Sequence, residues 1–334
     1  MKVTPRPAWP PWWRSFSRPA DRVLAATFDR FGPVDVLNVV DVPDPVPAEG
    51  EILVRVRAAA LNPKDVLLRR GKFRWLIWGK FPRPVGYDWA GEVAAVGPGV
   101  SGVTAGDKLF GMINAQRGGA CAQFVSVKAD ECAALPWGLS MEDAAAIPLA
   151  ALTALQALRD LGSVRPGNTL LIHGASGGVG TMAIQVAVAL GAQVTTTSSA
   201  RNVELCASLG AHQALDYAAA DPREKGPFDV VFDVFGNRSF ETVKHILNPR
   251  GVLVSTVPKP RLVANHVLTR VGGKKARLVV VHSNRKDLLV LCGMVQRGEL
   301  RPVVDRVFPL AEIRDAQALL ETKRARGKVV LAIP

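Results

Sequence analysis

The chain lacks any long uninterrupted run of apolar residues, although 48% of its 334 residues are hydrophobic. Glycine, proline or a charge interrupts every apolar segment well before the roughly 18 residues that a membrane-spanning helix needs. We therefore predict a soluble globular protein, and its length and hydrophobic content allow two domains with a sizeable core.

Cysteine is also scarce. The four cysteines are widely spaced and form no paired ligand motif. This pattern argues against structural zinc and predicts free thiols in a reducing compartment. We expect a cytoplasmic location, with the mitochondrial matrix as the alternative.

The first twenty residues contain no acidic residue and no apolar core of a secretory signal. Five prolines in this stretch obstruct the amphipathic helix that a mitochondrial presequence uses. We therefore predict that residues 1–21 are an N-terminal extension of the folded protein.

Acidic residues are outnumbered, with 29 Asp and Glu against 42 Lys and Arg and a net charge of +13. The basic residues are dispersed, and no recognised nucleic-acid motif accompanies them, so the charge does not indicate a nucleic-acid partner. It does favour the binding of anionic ligands.

The most informative stretch is residues 169–199, which predict a buried strand, a glycine turn, a helix and a second strand. In such a unit, Gly174 allows the sharp turn, Gly177 allows the backbone to approach a pyrophosphate, and Gly180 allows close packing of helix on sheet. The anion would then lie at the positive helix N-terminus. The sequence thus predicts a dinucleotide site.

The following strand indicates which dinucleotide binds. NAD sites usually carry an acidic residue about 20 residues after the glycine turn, but residues 194–200 contain none. Ser198, Ser199 and Arg201 instead supply hydroxyls and a permanent cation suited to a 2′-phosphate. We therefore predict NADPH as the cofactor.

Two kinds of pattern alternate along the chain. Residues 22–130 are rich in short strand signals, and a helix is predicted over Met141–Ala157. Six further strands with intervening helices favour a doubly wound parallel sheet. They are predicted at 169–173, 192–197, 212–216, 229–233, 251–256 and 277–282. A final block, with helices at 286–297 and 311–322 and strands at 301–308 and 328–333, would return to the first domain. The fold class is α/β.

Several motifs occur along the chain: Leu61–Asp65, Val85–Val93, Gly106–Gly111, Gly174–Gly180, Leu209–Ala211 with Asp216 and Tyr217, and Ala325–Lys328. Together they resemble the zinc-free branch of the medium-chain dehydrogenase/reductase superfamily. That branch includes quinone oxidoreductases of the zeta-crystallin type and the reticulon-4-interacting-protein-like NAD(P)H oxidoreductases. The resemblance implies a GroES-like catalytic domain over 22–147 and 285–334 and a Rossmann NADPH-binding domain over 148–284. We also expect a homodimer.

In zinc-dependent members of the superfamily, a Cys before x-x-Asp and a Gly-His-Glu hold the catalytic metal. The matching stretches here begin at Asn62 and Gly86, and neither contains a Cys or His. Without a Lewis acid, hydride transfer suits an acceptor that delocalises the incoming charge. We therefore predict zinc-independent reduction of a quinone or an α,β-unsaturated carbonyl, and no metal. Asn62, Lys64 and Tyr87 are the catalytic candidates, and Asp65 would orient the loop after residue 60 that carries Asn62 and Lys64.

The resemblance also implies cofactor contacts. It assigns Ser176, Gly178 and Val179 to the phosphates, beside Gly177 of the glycine turn, and Ser199 and Tyr217 to the 2′-phosphate. The remaining assignments are Thr153 at the nicotinamide and, by weaker similarity, Val257, Val280, His282 and Arg326. Two alternatives stay open: a trans-acting enoyl-thioester reductase, and a non-catalytic NADPH- or RNA-binding protein.

Overall fold

The computed structural model describes residues 23–72, 74, 81–114 and 118–334. The predicted N-terminal extension, residues 1–21, lies outside these residues. The strands in chain order are β1 (Val23–Phe28), β2 (Leu37–Val42), β3 (Glu51–Leu61), β4 (Arg83–Pro84), β5 (Asp88–Val96), β6 (Lys108–Met112), β7 (Phe124–Lys128), β8 (Cys132–Ala134), β9 (Thr169–His173), β10 (Gln193–Ser198), β11 (Gln213–Asp216), β12 (Phe228–Asp233), β13 (Leu247–Ser255), β14 (Lys275–Leu278), β15 (Val304–Pro309) and β16 (Lys328–Ala332). The α-helices are α1 (Pro63–Arg69), α2 (Met141–Ala145), α3 (Pro148–Leu155), α4 (Gly178–Ala189), α5 (Val203–Ser208), α6 (Phe240–Val243), α7 (Pro260–Leu268), α8 (Arg285–Gln296) and α9 (Ile313–Glu321).

The chain forms two compact units. The first runs to Pro148 and adds Ser283–Leu288 and Val304–Pro334, and the second contains Leu149–His282 and Leu289–Val303. The sequence grouped all of 285–334 with the first domain, whereas the structure places Leu289–Val303 in the second unit. The side chain of Gln185 on α4 bonds both the N–H and the C=O of Arg301, which ties this segment to α4.

The first unit is built on antiparallel sheets. Within its described residues, one sheet has the order β2-β1-β4 and a larger one the order β15-β16-β3-β5-β6-β8, with β7 also paired to β3. The central strand β3 pairs β16 on one side and β5 on the other. This arrangement brings the end of β3 beside the starts of β16 and β5, where the polar residues described below lie.

The second unit is a parallel sheet of the order β11-β10-β9-β12-β13-β14. In chain order within the unit this is 3-2-1-4-5-6, the order of a doubly wound dinucleotide-binding fold. Residues 170–172 of β9 are fully buried, as expected for a central parallel strand covered on both faces. The predicted α/β fold is confirmed.

Several predicted elements differ from the structure at their ends: the strands predicted at 251–256 and 301–308, for example, are Leu247–Ser255 and Val304–Pro309. The predicted strand at 277–282 is Lys275–Leu278, because its partner β13 ends at Ser255, opposite Leu278. The predicted helix over Met141–Ala157 is two helices, α2 and α3, which break before Pro148, a residue without a backbone N–H. A π-helical turn, Gln156–Leu161, then continues α3.

Candidate active site

A buried cap starts helix α1 in the first unit. Asn62 is the N-cap residue, and the Asp65 carboxylate accepts its backbone N–H at 2.7 Å. The other Asp65 oxygen accepts the N–H of Gly86 at 3.2 Å, so one side chain joins the helix start to the loop before Tyr87. Burial raises the pKa of Asp65 to about 6, since the charged form loses hydration.

Asn62 also belongs to a buried ion-pair cluster. Its Nδ2 donates to Asp88 Oδ2 at 3.0 Å and to the Ala60 carbonyl at 3.3 Å. Lys328 Nζ donates to Asn62 Oδ1 at 2.6 Å and to Asp88 Oδ2 at 2.9 Å. Lys328, Asp88 and Asn62 are all at least 97% buried. Charges this deeply buried persist in proteins when they are paired, as they are here.

Lys64 and Tyr87 form a second pair beside this cluster. Lys64 lies on the first turn of α1, and its Nζ sits 3.6 Å from the centroid of the buried Tyr87 ring, a cation–π contact. Burial lowers the pKa of Lys64, which makes its ammonium a better proton donor. Burial raises the pKa of Tyr87 well above its ordinary value, so the phenol stays protonated.

The structure thus brings the three predicted catalytic residues together, but in unequal situations. Lys64 is partly exposed and carries a charge beside the ring. Both hydrogens of the Asn62 amide already have internal acceptors, Asp88 and Ala60. The sequence predicts that Asn62 contacts the acceptor directly. This geometry instead favours a role in which Asn62 positions neighbouring residues.

The glycine turn of the second unit has the predicted conformations. Gly174 has a φ of +81°. A Cβ on Gly180 would lie 2.3 Å from the Gly174 carbonyl oxygen, so only glycine fits where α4 crosses the end of β9. A Cβ on Gly177, the N-cap of α4, would meet nothing closer than 3.9 Å. Gly177 therefore leaves open space at a helix N-terminus, as a bound pyrophosphate requires.

A cavity of about 570 Å³ opens at the carboxyl edge of this parallel sheet. Its lining includes His173 at the end of β9, Tyr217 after β11, and Arg238 and Thr242 after β12. Asp233, at the end of β12, accepts the N–H of Arg238 at 2.8 Å and so holds the Arg238 turn. Burial, and then the charge of Arg238, lowers the pKa of His173 to about 4, so this imidazole is neutral. The volume lies within the usual range of ligand pockets.

The predicted phosphate-binding hydroxyls are linked by a residue that the sequence did not single out. Asn202 Nδ2 donates to Ser176 Oγ at 2.9 Å and to Ser199 Oγ at 3.2 Å. Ser176 lies in the glycine turn and Ser199 follows β10, so one amide joins two predicted subsites. Ser198 is buried and its hydroxyl donates to the Ser199 carbonyl.

The other predicted cofactor residues are less closely grouped. Gly178 and Val179 begin α4, and Arg201 and Tyr217 are exposed. The Thr153 hydroxyl on α3 donates to the Leu149 carbonyl. Val257 packs against Gly236, Val280 is exposed, and the His282 backbone is bonded in both directions by the Gln156 amide. Arg326 belongs to the first unit, whereas the others belong to the second.

Sequence patterns missed the partners that fix these groups: Asp88, Lys328, Asn202, Asp233, Arg238 and Gln156. The Ala325–Lys328 motif contained Lys328 but carried no sign of its partners. Only the sheet register of β16, β3 and β5 brings Lys328 to Asn62 and Asp88.

Comparisons with known proteins agree with this architecture. Residues 48–155 match the alcohol dehydrogenase GroES-like domain, and residues 209–331 match a zinc-binding dehydrogenase domain. The chain is 32% identical to a chloroplast envelope quinone oxidoreductase homolog of Arabidopsis thaliana, over 88% of this chain and 93% of that protein. It is also 32% identical to an NADPH-dependent alkenal/one oxidoreductase of the same plant, over 92% and 78%.

A solved structure of a quinone oxidoreductase is also similar to this chain. The quinone oxidoreductase of Escherichia coli, complexed with NADPH, superposes with a TM-score of 0.79 at 29% identity, over 92% of this chain and 99% of that one. No helix that the structure describes has the length and apolar character to span a membrane. With the fold, the glycine turn and these relatives in agreement, the chain belongs to the medium-chain dehydrogenase/reductase superfamily, among its quinone oxidoreductases.

Proposed function

We propose that the protein is an NADPH-dependent oxidoreductase that reduces quinones or α,β-unsaturated carbonyls without a metal. The observation that carries the proposal is the Lys64–Tyr87 pair. Tyr87 occupies the position of a metal ligand in zinc-dependent members of the superfamily, and the Lys64 ammonium lies 3.6 Å from the centroid of its buried ring. The Asn62 position is likewise engaged by Lys328 and Asp88. The site is thus organised around cations supplied by the chain itself.

The second unit supplies a fitting cofactor cradle. The open space at Gly177 would admit the pyrophosphate, and Ser176, Ser199 and Asn202 would hold phosphate oxygens or hydroxyls. Arg201 and Tyr217 would contact the 2′-phosphate, and the cavity beside Arg238 would take the adenosine. When bound, NADPH supplies the hydride. The name of the Arabidopsis alkenal/one oxidoreductase and the E. coli complex support this choice of cofactor.

Lys64 is the group proposed to complete the reduction. Addition of hydride to a conjugated acceptor leaves negative charge on its oxygen, and the Lys64 ammonium would stabilise that charge and donate a proton to it. Tyr87 holds the ammonium through its ring, and Asp65 and Asn62 hold the helix turn that presents it. The desolvated position lowers the pKa of Lys64 and so favours the proton transfer.

The test is NADPH oxidation in chelator-treated buffer with a naphthoquinone, an enone, an enoyl thioester and a saturated ketone. We expect turnover of the quinone or the enone and none of the ketone. Lys64→Met should lower kcat about 100-fold or more, as expected for loss of a general acid. Lys72→Met, at an exposed position just after α1, is the matched control and should keep wild-type kcat.

Two results would contradict the proposal. One is turnover that chelation abolishes and zinc restores, and the other is an unchanged kcat in Lys64→Met. Because deprotonation removes the acid, the wild-type kcat should fall as pH rises through the lowered pKa of Lys64. Activity with the thioester alone would select the enoyl-thioester alternative.

We further propose a homodimer in the cytoplasm. Support for the dimer comes from the second unit, where β14 is an edge strand and Val263, Val267, Leu268 and Val271 expose apolar side chains next to it in sequence. Light scattering should give twice the mass of one chain, and Leu268→Asp should lower the measured mass toward that of a single chain.

The proposed cytoplasmic location has separate support. The four cysteines are buried and free, which is typical of proteins in a reducing compartment.

A further inference from the structure

Lys328 is a buried lysine that no part of the proposed proton transfer uses. It begins β16, next to Val329, which pairs with Leu61 at the end of β3. Asp88 begins β5 opposite Ala60 of the same strand. Three adjacent strands therefore bring Lys328, Asn62 and Asp88 to one point, although Lys328 is 266 residues away from Asn62 in sequence.

The three side chains form a closed ring of hydrogen bonds. Lys328 Nζ donates to both partners, at 2.6 Å to Asn62 Oδ1 and at 2.9 Å to Asp88 Oδ2, and Asn62 Nδ2 donates to the same Asp88 oxygen at 3.0 Å. The ring allows the Asn62 amide only one orientation. A flipped amide would turn its NH₂ group toward the ammonium and its oxygen toward the carboxylate, which is unfavourable at both ends.

Fixing Asn62 also fixes the start of α1. The Asn62 N–H is held by Asp65, whose other oxygen holds the Gly86 N–H next to Tyr87. Lys64 lies between these two anchored residues on the same helical turn. The turn therefore cannot shift along the Tyr87 ring without breaking bonds to Asn62 or Asp65.

We propose that Lys328 is a positioning residue that holds the first turn of α1, and thereby keeps Lys64 against the Tyr87 ring. The inference rests on the proposed function in one respect, namely that Lys64 contacts the acceptor. Its second role, balancing the charge of Asp88, follows from the ion pair alone. The positioning role and the charge-balancing role can be separated. Asp88→Asn removes the charge of Asp88 and leaves the Asn62 amide, which donates to Asp88, in place.

The experiment compares Lys328→Met, Lys328→Arg, the double variant Lys328→Met/Asp88→Asn, and Lys108→Met. Lys108 is an exposed lysine on β6 of the same sheet and serves as the control. Lys328→Met should be destabilised, because it leaves Asp88 charged and buried without its cation. The double variant removes both charges and should recover the urea midpoint.

We expect kcat to fall about 10- to 100-fold in both Lys328→Met and the double variant, since displacement of a catalytic group by about 1 Å has effects of this size. The affinity for NADPH should be unchanged, and Lys328→Arg should regain part of kcat. If kcat recovers together with stability in the double variant, Lys328 only balances Asp88 and the proposal is wrong.

A crystal structure of the double variant supplies a readout that does not depend on activity. We expect Lys64 Nζ to leave its contact with the Tyr87 ring, which is 3.6 Å in the native protein. A retained contact would overturn the positioning role even in a protein that reduces no acceptor. Conversely, wild-type protein that reduces none of the acceptors would refute the proposed function and leave this structural result to decide the inference.

Discussion

The polar cluster of the first unit and the glycine turn of the second are built on opposite principles. In the first, side chains from β3, β5, β16 and α1 satisfy each other, and Asn62, Asp88 and Lys328 have almost no exposure. In the second, the absence of a side chain at Gly180 lets α4 approach the end of β9 closely, and its absence at Gly177 leaves open space. The proposed proton transfer therefore depends on long-range pairing in the first unit, and the proposed cofactor binding depends on local backbone conformation in the second.

The largest effect should come from the glycine turn. Gly180→Ala would force a Cβ to within 2.3 Å of the Gly174 carbonyl, so α4 or β9 must move. We expect a loss of several kcal/mol of unfolding free energy, comparable to severe overpacking. Gly177→Ala meets no atom within 3.8 Å and should keep the wild-type melting temperature while weakening NADPH binding.

Calorimetry and NADPH fluorescence titration on the two variants check this contrast. If Gly177→Ala binds NADPH as tightly as the native protein, the open space at the helix N-terminus does not receive the pyrophosphate. If Gly180→Ala melts normally, the close approach of α4 to β9 is not essential.

The second effect concerns His173 in the second unit. Its pKa is about 4 in the folded protein against 6.5 ordinarily, so the unfolded chain takes up a proton first as pH falls. The stability from neutral His173 is complete above pH 6.5 and is lost as pH falls toward 4, at most about 3 to 4 kcal/mol. His173→Asn should flatten this part of the pH profile in urea unfolding.

Asp65 in the first unit should produce the opposite slope. Its folded pKa of about 6 lies above the ordinary 3.8, so the folded state binds the proton first. The associated stability is complete below pH 3.8 and is lost as pH rises through 6, with an upper limit near 3 kcal/mol. Asp88, Lys64 and Lys328 act on the same carboxyl.

Asp65→Asn should remove this dependence and also cost stability at every pH, because one carboxylate oxygen that accepts a backbone N–H becomes an NH₂ group. Urea unfolding between pH 4 and 7 measures both effects. A variant that keeps the native pH slope would mean that the slope arises elsewhere.

The same contrast explains what the sequence could predict. The strand, turn and helix around Gly174–Gly180 lie within one short segment, so local rules predicted the dinucleotide-binding fold and its cofactor, whereas the family resemblance needed motifs from the whole chain. Lys328 and Asp88 reach Asn62 only through strand register, and no local pattern encodes that register. The predicted strand at 277–282 ran too long for a related reason, since its end depends on where β13 stops.

Two arginines permit the finest comparison within the second unit. Arg201 follows Ser199 and is the predicted partner of the 2′-phosphate, whereas Arg238 lines the cavity and acts on His173. We expect Arg201→Glu to lower the ratio of NADPH affinity to NADH affinity about 10-fold, roughly 1.4 kcal/mol. Arg238→Gln should weaken the binding of NADPH and NADH by a similar factor and leave the ratio of the two affinities unchanged. The reason is that the cavity lined by Arg238 would hold the adenosine, which both nucleotides share. Titration of each variant with both nucleotides decides the assignment. If Arg238→Gln changes the ratio while Arg201→Glu does not, the 2′-phosphate lies at the cavity, and selectivity arises from the end of β12 instead of the end of β10.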